Sequence, residues 1–304
     1  MIEFVNVNKS FKNNQVFKNF NLEIKKGTIF GLVGINGAGK STMLRLLAGV
    51  YNVDSGFITI NDEDIYENES IKEKIFFLPD EPYYAFNLKG IDLINLYKSY
   101  YDIDNDSLNK HLKAFNLDLN KPIHSFSKGM KRQLFVSIAI SIKLDYLLLD
   151  EAFDGLDPLA RLYFKRELIK IVSKNNTTVI ISSHALRELE DICDSFGLLD
   201  RNEIKISGDL NKKLEETFKY QLACEKFLSK EMIKDVEVIN FTVEGKLIKI
   251  AFKGKEELFL EEIKSYKPIF VEKLNVTFED LFIDEIEAKG YLKWDILKTI
   301  IKIC

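Results

Sequence analysis

Residues 34–42 read GINGAGKST, a full G-x-x-x-x-G-K-[ST] phosphate-binding loop. The apolar run Thr28-Ile29-Phe30-Gly31-Leu32-Val33 precedes it and Met43-Leu44-Arg45-Leu46-Leu47-Ala48 follows, so the loop stands between a strand and a helix. That context makes the first substrate a nucleotide. Gly34, Gly37 and Gly39, with Ile35, Asn36 and Ala38 between them, leave backbone N–H groups free to close on phosphate oxygens. The following helix turns its positive end to the same anion. Lys40 is placed to reach the terminal phosphates, Ser41 offers its hydroxyl to Mg²⁺, and Thr42 ends the loop.

A phosphate loop alone permits kinases, GTPases and many ATPases, so a second set of residues must decide. Leu147-Leu148-Leu149-Asp150-Glu151 is an apolar strand ending in two carboxylates. Asp150 at such an end can hold Mg²⁺, and Glu151 can serve as base beside an attacking water. Upstream lies Ser125-Phe126-Ser127-Lys128-Gly129-Met130-Lys131-Arg132-Gln133, and downstream lie Phe153-Asp154-Gly155-Leu156-Asp157-Pro158 and Ser182-Ser183-His184.

With these motifs in this order, the sequence resembles the nucleotide-binding subunits of ATP-binding cassette (ABC) transporters over residues 1 to about 210. The order is phosphate loop, signature (Ser127, Lys128, Gly129, Met130), Asp-Glu strand end, D-loop with Asp157, and switch histidine His184. The resemblance implies a P-loop ATPase core with an antiparallel β subdomain and a helical subdomain, binding ATP and Mg²⁺. It implies two cassettes head to tail, a homodimer or a heterodimer with a related subunit, each signature completing the other's site. His184 would contact the γ-phosphate, and Phe11 falls where the family stacks adenine. The Ser-Lys-Gly-Met signature is similar to that of bacterial drug, bacteriocin and antimicrobial-peptide exporters whose membrane subunit is a separate chain. The expected place is then the cytoplasm, peripheral on the inner face of the cell membrane, under an integral-membrane partner. Two other readings are a non-transport ABC ATPase acting on nucleic acid or the ribosome, and a regulatory subunit that holds nucleotide without turnover.

Four departures from the family pattern stand out, one of them Met130 in place of a glutamine. Asp80, in Phe77-Leu78-Pro79-Asp80-Glu81-Pro82, occupies the position of the usual glutamine; it can still ligate Mg²⁺ but adds a negative charge near Asp150 and Glu151. Lys128 replaces a glycine, either attracting phosphate or lying in solvent. Phe153 replaces a smaller residue and reads as packing. The aromatics Tyr83, Tyr84 and Phe86 either receive the membrane partner's coupling helix or pack into the following helical region.

Composition adds limits. Lysine and arginine number 43 against 47 acids, so no strong positive field holds a nucleic-acid backbone and no nucleic-acid partner is expected. Cys193, Cys224 and Cys304 lie far apart, against a disulfide framework or zinc site and in favour of a reducing compartment. No signal peptide is evident at the start, and the longest apolar stretch, 134–142, is too short to span a bilayer.

The fold class is α/β. Alternating residues in Ile2-Glu3-Phe4-Val5 and Phe20-Asn21-Leu22-Glu23-Ile24 predict an antiparallel opening sheet. Tyr146-Leu147-Leu148-Leu149 and Thr178-Val179-Ile180-Ile181 suit parallel strands buried on both faces. Residues 91–115 read as one helical stretch, and 158–174 as a helix with Leu162, Leu168, Ile169 and Val172 inward. The pattern changes near Gly208, giving domains 1–210 and 211–304. The second reads as a small α+β domain: strand 220–224, helix 229–234, hairpin around Glu244-Gly245, helix 256–266, strand 269–274. Thr277-Phe278-Glu279-Asp280 has the form of a capping box, and an amphipathic helix is expected at 292–304.

Overall fold

A strand buried on both faces must be apolar throughout, and Ile29–Val33 meets that condition: as β3 it is buried at all five residues. The computed structural model describes residues 1–34, 36–200, 203–209 and 215–277. The chain divides into two compact units, Met1–Ser207 and Gly208–Cys304.

In the first unit, β1 (Ile2–Phe11) pairs antiparallel with β2 (Asn14–Ile24) and with β4 (Ser55–Ile60). The short β5 (Glu63–Asp64) completes a four-stranded sheet of order β2-β1-β4-β5. The period-two pattern holds in β2, where Phe20, Leu22 and Ile24 are buried and the residues between them are exposed. A second sheet of order β10-β9-β3-β8-β7-β6 gathers β6 (Ile75–Leu78), β7 (Tyr146–Leu149), β8 (Thr178–Ser183), β9 (Ser195–Asp200) and β10 (Glu203–Asp209) around β3. Strand β3 is parallel to β8 and β9, and β7 is parallel to β6 and β8. One apolar cluster joins the two sheets, with Phe4, Phe17 and Phe20 from the first, Phe30, Leu148 and Ile180 from the second. Each such phenylalanine contributes about 1.5–3 kcal/mol by leaving water.

The helices are α1 (Lys40–Leu47), α2 (Glu69–Lys72), α3 (Gly90–Lys98), α4 (Asn105–Phe115), α5 (Lys128–Ala139), α6 (Pro158–Asn175) and α7 (Leu186–Leu189). The stretch 91–115 is thus two helices, because the Asp104 carboxylate accepts the N–H groups of Asp106 and Ser107 at 3.0 Å each and starts a new one. Helix α6 buries Ala160, Phe164 and Leu168, while Leu162 and Ile169 face outward. Phe77 and Leu78 end β6, so the segment bearing Asp80 leaves a strand end as the phosphate loop does.

The second unit is a four-stranded antiparallel sheet, order β12-β13-β11-β14. Its strands are β11 (Thr217–Cys224), β12 (Glu237–Glu244), β13 (Leu247–Lys253) and β14 (Pro268–Leu274). Helix α8 (Glu256–Lys264) sets Phe259 and Ile263 on Tyr220, Leu222, Ile250 and Phe252. The helix expected at 229–234 is only a three-residue 3₁₀ turn, Lys230–Met232. The capping box beyond Thr277, the helix at 292–304 and Ile35 of the phosphate loop lie outside the described residues.

Candidate functional site

Strands β3, β8 and β7 are adjacent and parallel, so their carboxyl ends open on one edge of the sheet, where open α/β sheets bind ligands. From β3 the chain enters the phosphate loop, in which Gly37 and Gly39 hold φ of 82° and 107°, values that side-chain-bearing residues rarely adopt. Gly39 precedes α1, and no side chain caps that helix. No side-chain cap therefore competes with an anion at that helix end. Lys40, only 6% exposed, donates to the Gly34 carbonyl at 2.6 Å and lies 3.3 Å from Glu151 Oε1.

From β7 come Asp150 and Glu151. Asp150 is buried; its Oδ1 accepts the Ser182 hydroxyl at 2.7 Å, while Oδ2 has no hydrogen-bond partner among the described residues. Glu151 sits at φ 47°, the left-handed region that non-glycine residues seldom occupy without constraint. The constraint is visible: its N–H donates to Ser182 Oγ at 3.0 Å, and its carboxylate is held between Lys40 and His184. His184 Nδ1 lies 2.9 Å from Glu151 Oε2, which also accepts the His184 N–H at 3.3 Å. Three strand ends thus bring a lysine, a carboxylate and an imidazole into one connected network beside the phosphate loop.

The orphaned Oδ2 of Asp150 fits a hard cation, since a buried carboxylate oxygen without a donor is costly until something positive meets it. Among the described residues no group of three or more His, Cys, Asp or Glu is arranged around a metal, so Asp80 does not join Asp150 and Glu151 in such a cluster. Asp80 instead pairs with the buried Arg132, whose Nη2 donates to Asp80 Oδ1 at 2.8 Å and to the Asp80 carbonyl at 2.6 Å. The added negative charge anticipated at this position is met by a guanidinium from α5.

The signature residues open α5. Ser127 Oγ caps the helix by accepting the Met130 N–H at 3.2 Å, and Ser127 and Lys128 are exposed. Gly129 has no room for a side chain: a Cβ there would stand 2.7 Å from the Gly155 carbonyl. Lys128 is not simply solvated, since it donates to Asp154, holding that carboxyl below the usual range while its own pKa is raised. Asp157 caps α6, accepting from Leu159 and Ala160 at 3.0 and 2.9 Å. Phe153 is fully buried against Phe164. Phe11 is 39% exposed, meets Tyr51 edge-on at 5.2 Å and has Lys9 Nζ 5.2 Å from its centroid.

Sequence reasoning gave no role to Ser182 or Arg132. Ser182 left a signal, a polar residue closing an apolar strand; Arg132 left none beyond its place in the signature segment.

A family model described as ABC transporter matches residues 17–154. The ABC transporter ATP-binding protein YtrB of Bacillus subtilis is 29% identical across 95% of this chain and 99% of its own length. The lantibiotic transport ATP-binding protein SrtF of Streptococcus pyogenes is 31% identical across 74% of this chain and 99% of its own length. A solved structure of an ATP-binding subunit of an ABC transporter superposes with a TM-score of 0.64, at 25% identity, across 71% of this chain and 92% of that one.

Proposed function

This chain belongs to the family of ABC transporter ATP-binding proteins, and from that premise we propose that it is the ATP-hydrolysing motor of a bacterial exporter, docked under a separate membrane subunit. The observation that carries the site assignment is the convergence of Lys40, Glu151 and His184 on the edge where the phosphate loop opens. Among the described residues no helix is long and apolar enough to cross a membrane.

The loop N–H groups and the open end of α1 bind the phosphates, and Phe11 offers a ring face to the adenine. Entering phosphates draw Lys40 away from the Gly34 carbonyl and Glu151. The freed Glu151 carboxylate takes a proton from the attacking water as the water oxygen bonds to the γ-phosphorus and the bond to the ADP oxygen breaks. His184 orients Glu151 and the γ-phosphate. Ser41 and Asp150 would hold Mg²⁺, with Asp80 a further oxygen donor if it leaves Arg132; such an ion would supply positive charge to the phosphates. The exposed N-terminus of α5 contributes Ser127, Lys128, Gly129 and Met130 to the ATP of a second cassette, with Asp157 in the D-loop beside that junction. Because γ-phosphate bridges both cassettes, ATP stabilises the closed dimer and hydrolysis releases it.

The membrane partner's coupling segment fits at Asp80, Glu81, Pro82 and Tyr84, which with Lys128, Lys131, Arg132 and Phe135 line a cavity of about 340 Å³. Tyr83 and Phe86 beside it are 92% and 72% exposed, although Phe86 stacks on His124. Large aromatics left in water support a docking role. The chain would sit in the cytoplasm on the inner face of the membrane. A pull-down from detergent-solubilised host membranes tests the assignment. An integral-membrane protein should co-purify; recovery of ribosomes or DNA alone would replace export by the non-transport reading.

A further inference from the structure

We propose that Arg161 and Glu188 are positioning residues for ATP hydrolysis: together they set the turn that carries His184 and tie it to the segment 153–157. This rests on the reading of His184 given above. Ser183, immediately before the histidine, is fully buried; its hydroxyl lies 2.6 Å from Glu188 Oε2 and accepts the Ala185 N–H at 2.9 Å. A hydroxyl has one proton. With that proton committed to Glu188, an oxygen lone pair faces Ala185, so both neighbours of His184 are fixed by one carboxylate.

Glu188 cannot hold this position by itself, because α7 spans only four residues and a helix so short does not persist without tertiary contacts. Arg161 Nη1, from the first turns of α6, pairs with Glu188 Oε1 at 2.8 Å. Arg161 Nη2 also approaches the Leu156 carbonyl at 3.4 Å, and Nε is buried with no hydrogen-bond partner among the described residues. A guanidinium held with one donor unsatisfied is placed for its ion pair rather than for complete solvation. Leu156 follows Gly155, the residue whose carbonyl leaves no space for a side chain at Gly129. The ion pair therefore joins the signature-contacting turn to the histidine turn.

The test is single-turnover hydrolysis and ATP affinity for Glu188→Gln, Arg161→Met and Arg161→Lys, each also built on His184→Ala. Glu188→Gln keeps shape and an oxygen for Ser183 but loses the charge facing Arg161. Glu188→Gln and Arg161→Met should lower the hydrolysis rate about tenfold with affinity changed less than about twofold, and Arg161→Lys should recover most of the rate. On His184→Ala the same substitutions should change the residual rate by less than about twofold, because no histidine remains to be positioned. An equal loss in both backgrounds, or none with His184 present, overturns the proposal. If His184→Ala by itself hydrolyses at the wild-type rate, the role of His184 fails first and the pair's role with it.

Discussion

Helices α1 and α5 both turn an N-terminus toward the proposed phosphates, but their surroundings differ. Before α1 stands Gly39, no side chain caps the helix, and the adjoining Lys40 is buried in contact with Gly34 and Glu151. Before α5 stands Ser127, which caps the helix with its own hydroxyl and remains exposed, as does Lys128. A side-chain cap is worth about 1 kcal/mol, so α1 forgoes stability that a bound anion restores. Helix α5 forgoes nothing and offers its end outward. In the proposed site the first half is completed inside this chain, and the second half would be presented to another.

The largest expected effect breaks the internal half. Glu151→Gln should lower hydrolysis by about 10²–10⁴-fold while MgATP still binds, trapping a nucleotide-dependent dimer in light scattering. Wild-type turnover by this variant would remove Glu151 from the chemistry. Next, Gly129→Asp forces a side chain toward the Gly155 carbonyl and a negative charge into the outward half. Turnover should fall about a hundredfold with ATP affinity of the isolated chain within about twofold. Strong loss of affinity would instead make α5 part of the same chain's own nucleotide site.

The remaining effect is on stability rather than turnover, and sharpens what completion within the chain means. His111 is 1% exposed, with Nδ1 2.7 Å from Tyr163 OH and Nε2 3.0 Å from Ser107 Oγ. Burial pushes its pKa from 6.5 down to about 4, against the opposing pull of Glu167. In that interval the unfolded chain binds a proton that the folded chain refuses. Stability is therefore intact above about pH 6.5 and is lost as pH falls toward 4, by up to about 3 kcal/mol. Denaturant unfolding of His111→Gln should show a shallower acid slope than wild type; equal slopes would mean that the imidazole is already charged in the fold.

What the sequence made legible was local. The phosphate loop between β3 and α1, the apolar runs of β7 and β8, and the pairing of β1 with β2 are each contained in a short window whose period or motif names its structure. What it hid was set by distance. Arg132 meets Asp80 across 52 positions, and Ser182 reaches Asp150 across 32, so no spacing announces either contact. The left-handed Glu151 is held by its own N–H bond to Ser182 and by His184, not by its own preference. Leu162 and Ile169 had helical spacing yet face outward, because Ala160, Phe164 and Leu168 already supply the inner stripe of α6. At 229–234 a helical reading failed because only three residues are shared by the turn.

The most direct measurement is the specific ATPase activity of the purified chain over a dilution series into the nanomolar range at saturating MgATP. If each site needs an outward-facing α5 from a second cassette, activity per chain should fall on dilution and return on reconcentration. Activity per chain that stays constant while light scattering reports a single chain throughout would contradict a site shared between two cassettes.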